Sequence, residues 1–152
     1  MTGVSSRSSI ALSASIACRL ATGDGELQAH FELRRCVFVE EQGLFVMDDR
    51  DERDDEPGTL HAIGLADGEP CGAVRLYPID PAAHQWKGDR LAVLGEHRAN
   101  HLGAWLVRFA VTTAGRLGGR RIGRSRVLRG GKRPPSTCTR TSSRLAASES
   151  GR

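Results

Sequence analysis

Apolar residues recur at helical spacing in two stretches of the chain and at alternate positions in several others. Leu27, Phe31 and Phe38 stand four and seven residues apart, with Leu33 and Val37 near the same face, which predicts an amphipathic helix over residues 26–41. Thr22-Gly23-Asp24-Gly25 ahead of it is turn chemistry, with Asp24 as the expected N-cap, Glu26 in the first turn and Gly43 as a stop. Leu102, Leu106, Phe109 or Ala110, Thr113 and Leu117 predict a second helix starting near Gly103. Strands are expected at about Ser15 to Leu20, at Leu60 to Ala66 and Cys71 to Tyr77 around an Asp67-Gly68 hairpin turn, and at Asp89 to Leu94. Pro78 to Gly88, with Pro78 and Pro81, reads as a loop. Strands interleaved with helices in this order predict an α/β (α+β) domain with a mixed sheet.

Charge divides the chain more sharply than hydropathy does. Residues 1–115 hold 11 Lys and Arg against 17 Asp and Glu, whereas residues 116–152 hold 11 against Glu149 alone. The net charge of +4 and the basic pI therefore belong to the tail and do not argue that the body prefers nucleic acid. Asp48 to Glu56 (DDRDERDDE) places seven carboxylates among nine residues before Pro57-Gly58, and reads as an exposed loop or frayed helical turn. Residues 118–152 contain no aromatic residue and only Ile122, Val127, Leu128 and Leu145 as large aliphatics, too little apolar surface to offset chain entropy. The expected organisation is a flexible N-terminus over 1–14, one domain over 15–117 and a basic, largely disordered tail over 118–152, with a short strand around Arg120 to Leu128.

No apolar run is long enough to span a membrane. The apolar run Ile10 to Ala17 is short, diluted by Ser13 and Ser15 and followed at once by Arg19, which is a poor secretory leader. Cys18, Cys36, Cys71 and Cys138 are widely spaced, without a C-x-x-C pair or a histidine at ligand spacing, so reduced thiols in a cytoplasmic protein and no metal are expected.

The residues that carry chemistry are Arg98 to Ala104 (RANHLGA), between the strand ending near Leu94 and the second helix. A strand, a short turn and a helix N-terminus bring free backbone N–H groups and the positive end of the helix dipole to one place, an arrangement suited to a pyrophosphate.

This turn resembles the acyl-CoA motif Q/R-x-x-G-x-G/A of the GNAT superfamily of N-acetyltransferases, with Arg98 at its first position and Gly103 at its last. His101 stands where the first glycine belongs. Leu33-Arg34-Arg35-Cys36-Val37-Phe38-Val39-Glu40-Glu41-Gln42-Gly43 is similar to the R-x-x-V-F-V-x-E-Q helix of many bacterial members. Gly72-Ala73-Val74-Arg75-Leu76-Tyr77 and Asp89-Arg90-Leu91-Ala92-Val93 resemble the family's third and fourth strands. The likeness covers about residues 15–117 in the correct order and is greatest to a bacterial subfamily associated with nitrogen-starvation gene clusters.

The resemblance implies a GNAT-like acyl-CoA N-acyltransferase fold, incomplete at the C-terminus, with acetyl-CoA as co-substrate and a primary amine of a small molecule or protein as acceptor. The amine nitrogen attacks the thioester carbonyl, the C–S bond breaks, and the amine gives up a proton while the thiolate leaves. It further implies a CoA site of Leu91, Ala92, Val93, Arg98, Ala99, Asn100, His101, Leu102, Gly103 and Ala104, with backbone N–H near Ala92 and Val93 polarising the carbonyl. Glu40 and Glu41, which end the first helix, are the candidate bases. The last helix and strands of the family are not legible after Gly118, and Tyr77 is the only tyrosine, so no thiolate-protonating residue carries over. Arg, Gly, Ser and Pro are what GC-rich codons yield out of frame; translating the other two frames beyond codon 118 tests whether the tail is frameshifted. The alternative function, from another class, is a non-catalytic or degenerate protein whose basic tail binds nucleic acid or another polyanion by counterion release.

Overall fold

The alternating segments form the sheet that their pattern predicts. The computed structural model describes residues 13–124. Its strands are β1 (Ile16–Leu20), β2 (Leu60–Ala66), β3 (Glu69–Asp80), β4 (Gln85–Val93) and β5 (Arg121–Arg124), in sheet order β1-β2-β3-β4-β5. The first four pair antiparallel and β5 runs parallel to β4. The sheet is thus mixed, and the α/β expectation is met. β2 and β3 join through Asp67 and Gly68, both at positive φ (50° and 82°), the geometry of a type I′ hairpin. Pro78 to Gly88 is largely strand, because β3 and β4 extend each other's pairing to Asp80 and Gln85 and leave only residues 81–84 to turn.

The first helix, α1 (Gly23–Arg35), passes into a π-helical turn, Cys36–Glu41, where the Gln42 amide bonds the Val37 carbonyl. Its N-cap is Thr22 rather than Asp24: the Glu26 carboxylate accepts from the Thr22 amide (2.9 Å) and hydroxyl (3.2 Å), so the negative side chain sits at the positive end of the helix. The second helix, α2 (Leu102–Arg116), packs its Leu102, Leu106, Ala110 and Ala114 onto the sheet. Because successive strand residues face opposite ways, Gly64 and Gly72 lie against α2, while His61 and Arg75 face α1. The core lies between the sheet and these two helices, with Leu33, Val37, Leu76, Leu102 and Leu106 among its members.

The acidic loop is an exposed segment with a helical turn, as its composition suggests, except at two of its seven carboxylates. Residues 52–55 form a 3₁₀ turn, and Asp49 and Asp54 are buried. Arg34, itself fully buried, holds both: Nε donates to Asp49 Oδ2 (2.7 Å), while Nη1 and Nη2 donate to the two Asp54 oxygens (2.6 and 3.0 Å). Buried carboxylates require such partners, and no pattern within the loop itself announces them. Cys18 and Cys71 are in no disulfide, the Cys71 thiol donating to the Gly64 carbonyl (3.7 Å), whereas Cys36 is disulfide-bonded, which overturns the expectation of reduced cysteines at that position. Among the described residues no helix is long and apolar enough to cross a membrane, and no group of His, Cys, Asp and Glu is placed to hold a metal. The expected tail lies outside the described residues beyond Arg124.

Candidate functional site

Two local distortions shape the region between β4 and α2. The first is a β-bulge: Ala73 pairs with Ala92 and Arg75 with Asp89, so Arg90 and Leu91 together oppose Val74. Arg90 takes φ 51° there, and Leu91 is partly exposed. Among the described residues β5 flanks β4 only from Gln85 to Gly88, and no strand lies beside Asp89 to Val93 on that side.

The second distortion is the entry to α2. A 3₁₀ turn, Gly95–Asn100, carries Arg98, Ala99 and Asn100, and His101 then adopts the left-handed conformation (φ 58°, ψ 19°). This is the backbone state for which glycine is the usual residue, and histidine adopts it at a cost of about 1–2 kcal/mol. The His101 carbonyl accepts from the amides of Ala104 (2.9 Å) and Trp105 (3.2 Å). Among the described residues the N–H groups of Leu102 and Gly103 have no acceptor. The first turn of α2 carries no acidic residue. Both groups lie at the dipole's positive end; that of Gly103 is partly exposed and suits an anion such as a diphosphate, whereas Leu102 is fully buried.

Leu102, which bears one of those N–H groups, is held by a notch in the sheet. Gly64 and Gly72 are register partners on β2 and β3, and a Cβ on either would stand 2.9 or 2.8 Å from the side chains of Leu102 and Leu106. Only glycine lets the start of α2 approach so closely. Gly103, by contrast, has Val93 Cγ2 at 3.7 Å from a built Cβ, an ordinary contact that matches the family's tolerance of alanine at this position.

Glu41 and Arg98 are brought together: Arg98 Nη2 pairs with Glu41 Oε1, and Arg98 Nε donates to the Val93 carbonyl (3.1 Å). Arg98 thus ties the π-helical turn, the end of β4 and the phosphate-type turn to one another. The Glu41 side chain is largely covered, while Glu40 is exposed and pairs with Arg35 (2.6 Å). Ala92 is buried behind the bulge.

Composition did not reveal the ion network behind this region. Arg75 Nε and Nη2 donate to the Asp89 oxygens (2.8 and 2.9 Å), Tyr77 Oη donates to Asp89 Oδ2 (3.1 Å), and Arg75 Nη1 also reaches Asp51 and Asp54. Burial works against the Arg75 charge, but bonds to Asp89 and Asp51 outweigh it and push its pKa up. Burial likewise opposes the Asp54 carboxylate, yet bonds from Arg34 and the Asp51 amide hold it well below the usual range. Beside the network, burial drives His30 down to about 3, and burial also lowers His61. The Gly-x-x-Arg-Leu pattern on β3 was the one sequence signal of this network.

The sequence model of the Acetyltransferase (GNAT) family matches residues 27–129. The chain belongs to the GNAT family. A Bacillus subtilis (strain 168) protein named as an acetyltransferase is 33% identical over 87 residues, and this chain spans 57% of that relative's length. Similar solved structures include an acyl-CoA N-acyltransferase from Pseudomonas aeruginosa (TM-score 0.57, 26% identity, 69% of this chain and 73% of that one). Escherichia coli ElaA matches in fold (TM-score 0.60, 20% identity, 72% and 75% covered).

Proposed function

We propose that this GNAT-family chain is an N-acyltransferase that moves an acetyl group from acetyl-CoA to a primary amine of a small molecule or protein. The observation that carries the reading is the unpaired, partly exposed N–H of Gly103 at the start of α2, placed after a bulged strand on whose outer side, among the described residues, no strand lies from Asp89 to Val93. These residues fit the co-substrate: Gly103 would hold the diphosphate, with His101, Leu102 and Ala104 shaping the turn and Arg98, Ala99 and Asn100 forming its approach. The backbone from Leu91 to Val93 would receive the acyl arm. When bound, acetyl-CoA supplies the activated acyl group.

The protein's own residues then have three tasks. Of the two expected amides, that of Ala92 is turned into the ladder with Ala73, so the outward-facing backbone N–H of Val93 polarises the carbonyl, a role for which preorganised amides are well suited. Glu41, covered and fixed by Arg98, accepts the proton of the attacking amine, with Glu40 one residue earlier as the second candidate. The third task, excluding water, falls to the covered floor of Ala92, Leu102 and Leu106.

Calorimetry with acetyl-CoA on the full chain, followed by thiol release on a panel of small amines, tests this. Micromolar binding and amine-dependent release of CoA thiol are expected. Absence of binding at millimolar acetyl-CoA overturns the assignment. Polyanion binding by the basic tail is the second outcome to score in the same titration, using a duplex oligonucleotide in place of acetyl-CoA.

A further inference from the structure

The residue at the bulge is an arginine in a conformation normally given to glycine. Arg90 at φ 51° carries backbone strain, and such strain persists only where the surroundings over-determine it. Here the surroundings are the acidic loop. Arg90 Nε donates to the Asp49 carbonyl (3.2 Å) and lies 3.3 Å from Asp49 Oδ2, Nη2 donates to Asp51 Oδ2 (3.1 Å), and the guanidinium stacks 4.7 Å from the Phe45 ring. The preceding residue, Asp89, is gripped by Arg75 and Tyr77. Asp51 joins the two grips, because its Oδ1 takes Arg75 Nη1 at 2.5 Å while its Oδ2 takes Arg90. The loop is fixed in turn by Arg34, through Asp49 and Asp54.

We propose that Arg90, clamped by Asp51 and Asp49, is a positioning residue that sets the backbone of the β4 bulge for the acyl carbonyl. This rests on the acyl-transfer reading above. Arg90 does not contact the reacting atoms: its guanidinium is committed to the loop. Its role is to turn a carboxylate-rich segment forty residues upstream into a brace for Leu91, Ala92 and Val93. A glycine at position 90 would satisfy the backbone with less strain but would leave the bulge free to change shape. The clamp trades that strain for rigidity.

The test uses the infrared stretch of isotope-labelled acetyl-CoA carbonyl bound to the full chain, together with calorimetry for CoA and acetyl-CoA. In the wild type the bound carbonyl stretch moves to lower frequency. In Arg90→Gly at least half of that displacement is lost, while affinity for CoA, which depends on residues 101–104, stays within threefold. Turnover falls on the order of tenfold at unchanged KM for acetyl-CoA, the size expected of a slightly misplaced group. Asp51→Asn, at a half-exposed position that leaves the buried Arg34 pairs intact, gives a smaller loss of the same displacement and covers the case in which Arg90→Gly fails to fold. A carbonyl displacement equal to wild type in both variants overturns the clamp, as does a wild type that binds acetyl-CoA without any displacement. A wild type that binds no acetyl-CoA overturns the acyl-transfer reading and the clamp with it.

Discussion

Gly72→Ala tests how the sheet seats the phosphate-type turn. The added methyl would stand 2.8 Å from Leu106 Cδ1, 3.0 Å from Leu102 Cδ2 and 3.3 Å from the Ala92 carbonyl oxygen, so the nearest contact is about 0.6 Å inside the 3.4 Å at which ordinary contact begins. The leucines are fully buried and have no open space to rotate into, and the carbonyl closes off retreat along the strand. Overpacking of this kind costs about 1–3 kcal/mol, and the smaller entropy of the unfolded alanine chain returns about 0.4–1 kcal/mol. A net loss of about 1–2 kcal/mol corresponds to a Tm lower by roughly 3–10 °C for a domain of this size. The helix start should yield rather than the paired strands, moving the Gly103 N–H group outward and weakening acetyl-CoA binding by roughly tenfold, about 1.4 kcal/mol. Thermal unfolding and calorimetry measure both quantities on one sample, with Gly103→Ala as the control that should raise Tm by a few degrees and leave acetyl-CoA affinity unchanged. A Gly72→Ala protein with unchanged or higher Tm and unchanged acetyl-CoA affinity would refute the argument that this notch positions the site.

Three further outcomes follow from the geometry. Gly103→Pro deletes one open N–H in a first helical turn that tolerates proline, and should weaken acetyl-CoA about tenfold by calorimetry with little change in circular dichroism; equal affinity would show that this amide does not face the ligand. His101→Gly removes left-handed strain but loosens the unfolded chain by a comparable amount, so Tm should move by only a few degrees while acetyl-CoA binds at least as tightly; a weaker affinity would mean that the imidazole itself contributes. Burial holds His30 down at about 3, so below pH 6.5 the unfolded chain takes a proton that the native state refuses. Stability should therefore fall by about 1.4 kcal/mol per pH unit, or about 2 kcal/mol between pH 6.5 and 5. His61, lowered by burial, adds to this loss, whereas Asp49, raised by burial, binds its proton earlier in the native state and offsets part of it toward lower pH. Urea unfolding at pH 7, 6 and 5 measures it, and a flat profile would show that the His30 pocket admits water or a counterion.

Local chemistry explains what could be read in advance. The two helices, the β2–β3 hairpin and the turn before α2 follow from periodicity and turn residues within a few positions of one another, and the family pattern added the order of the strands. Asp67-Gly68 specified its hairpin because positive φ at both positions is a property of those residues themselves. Arg98, His101 and Gly103 were legible for the same reason, being contiguous. The misreadings lie where a partner decides the outcome. Pro78 to Gly88 became strand once β3 and β4 could pair, and Thr22 rather than Asp24 capped α1 once Glu26 folded back on it.

Amino-acid order alone determined which segments are helical, which alternate, and where a phosphate-type turn interrupts them, since these depend on neighbours in the chain. Only the tertiary structure decided that Asp49 and Asp54 are buried, that Asp51 joins Arg75 to Arg90, that Glu41 meets Arg98, and that Gly64 and Gly72 open a seat for Leu102. Those partners are separated by 15 or more residues, and a carboxylate has the same local signature whether water or an arginine will neutralise it.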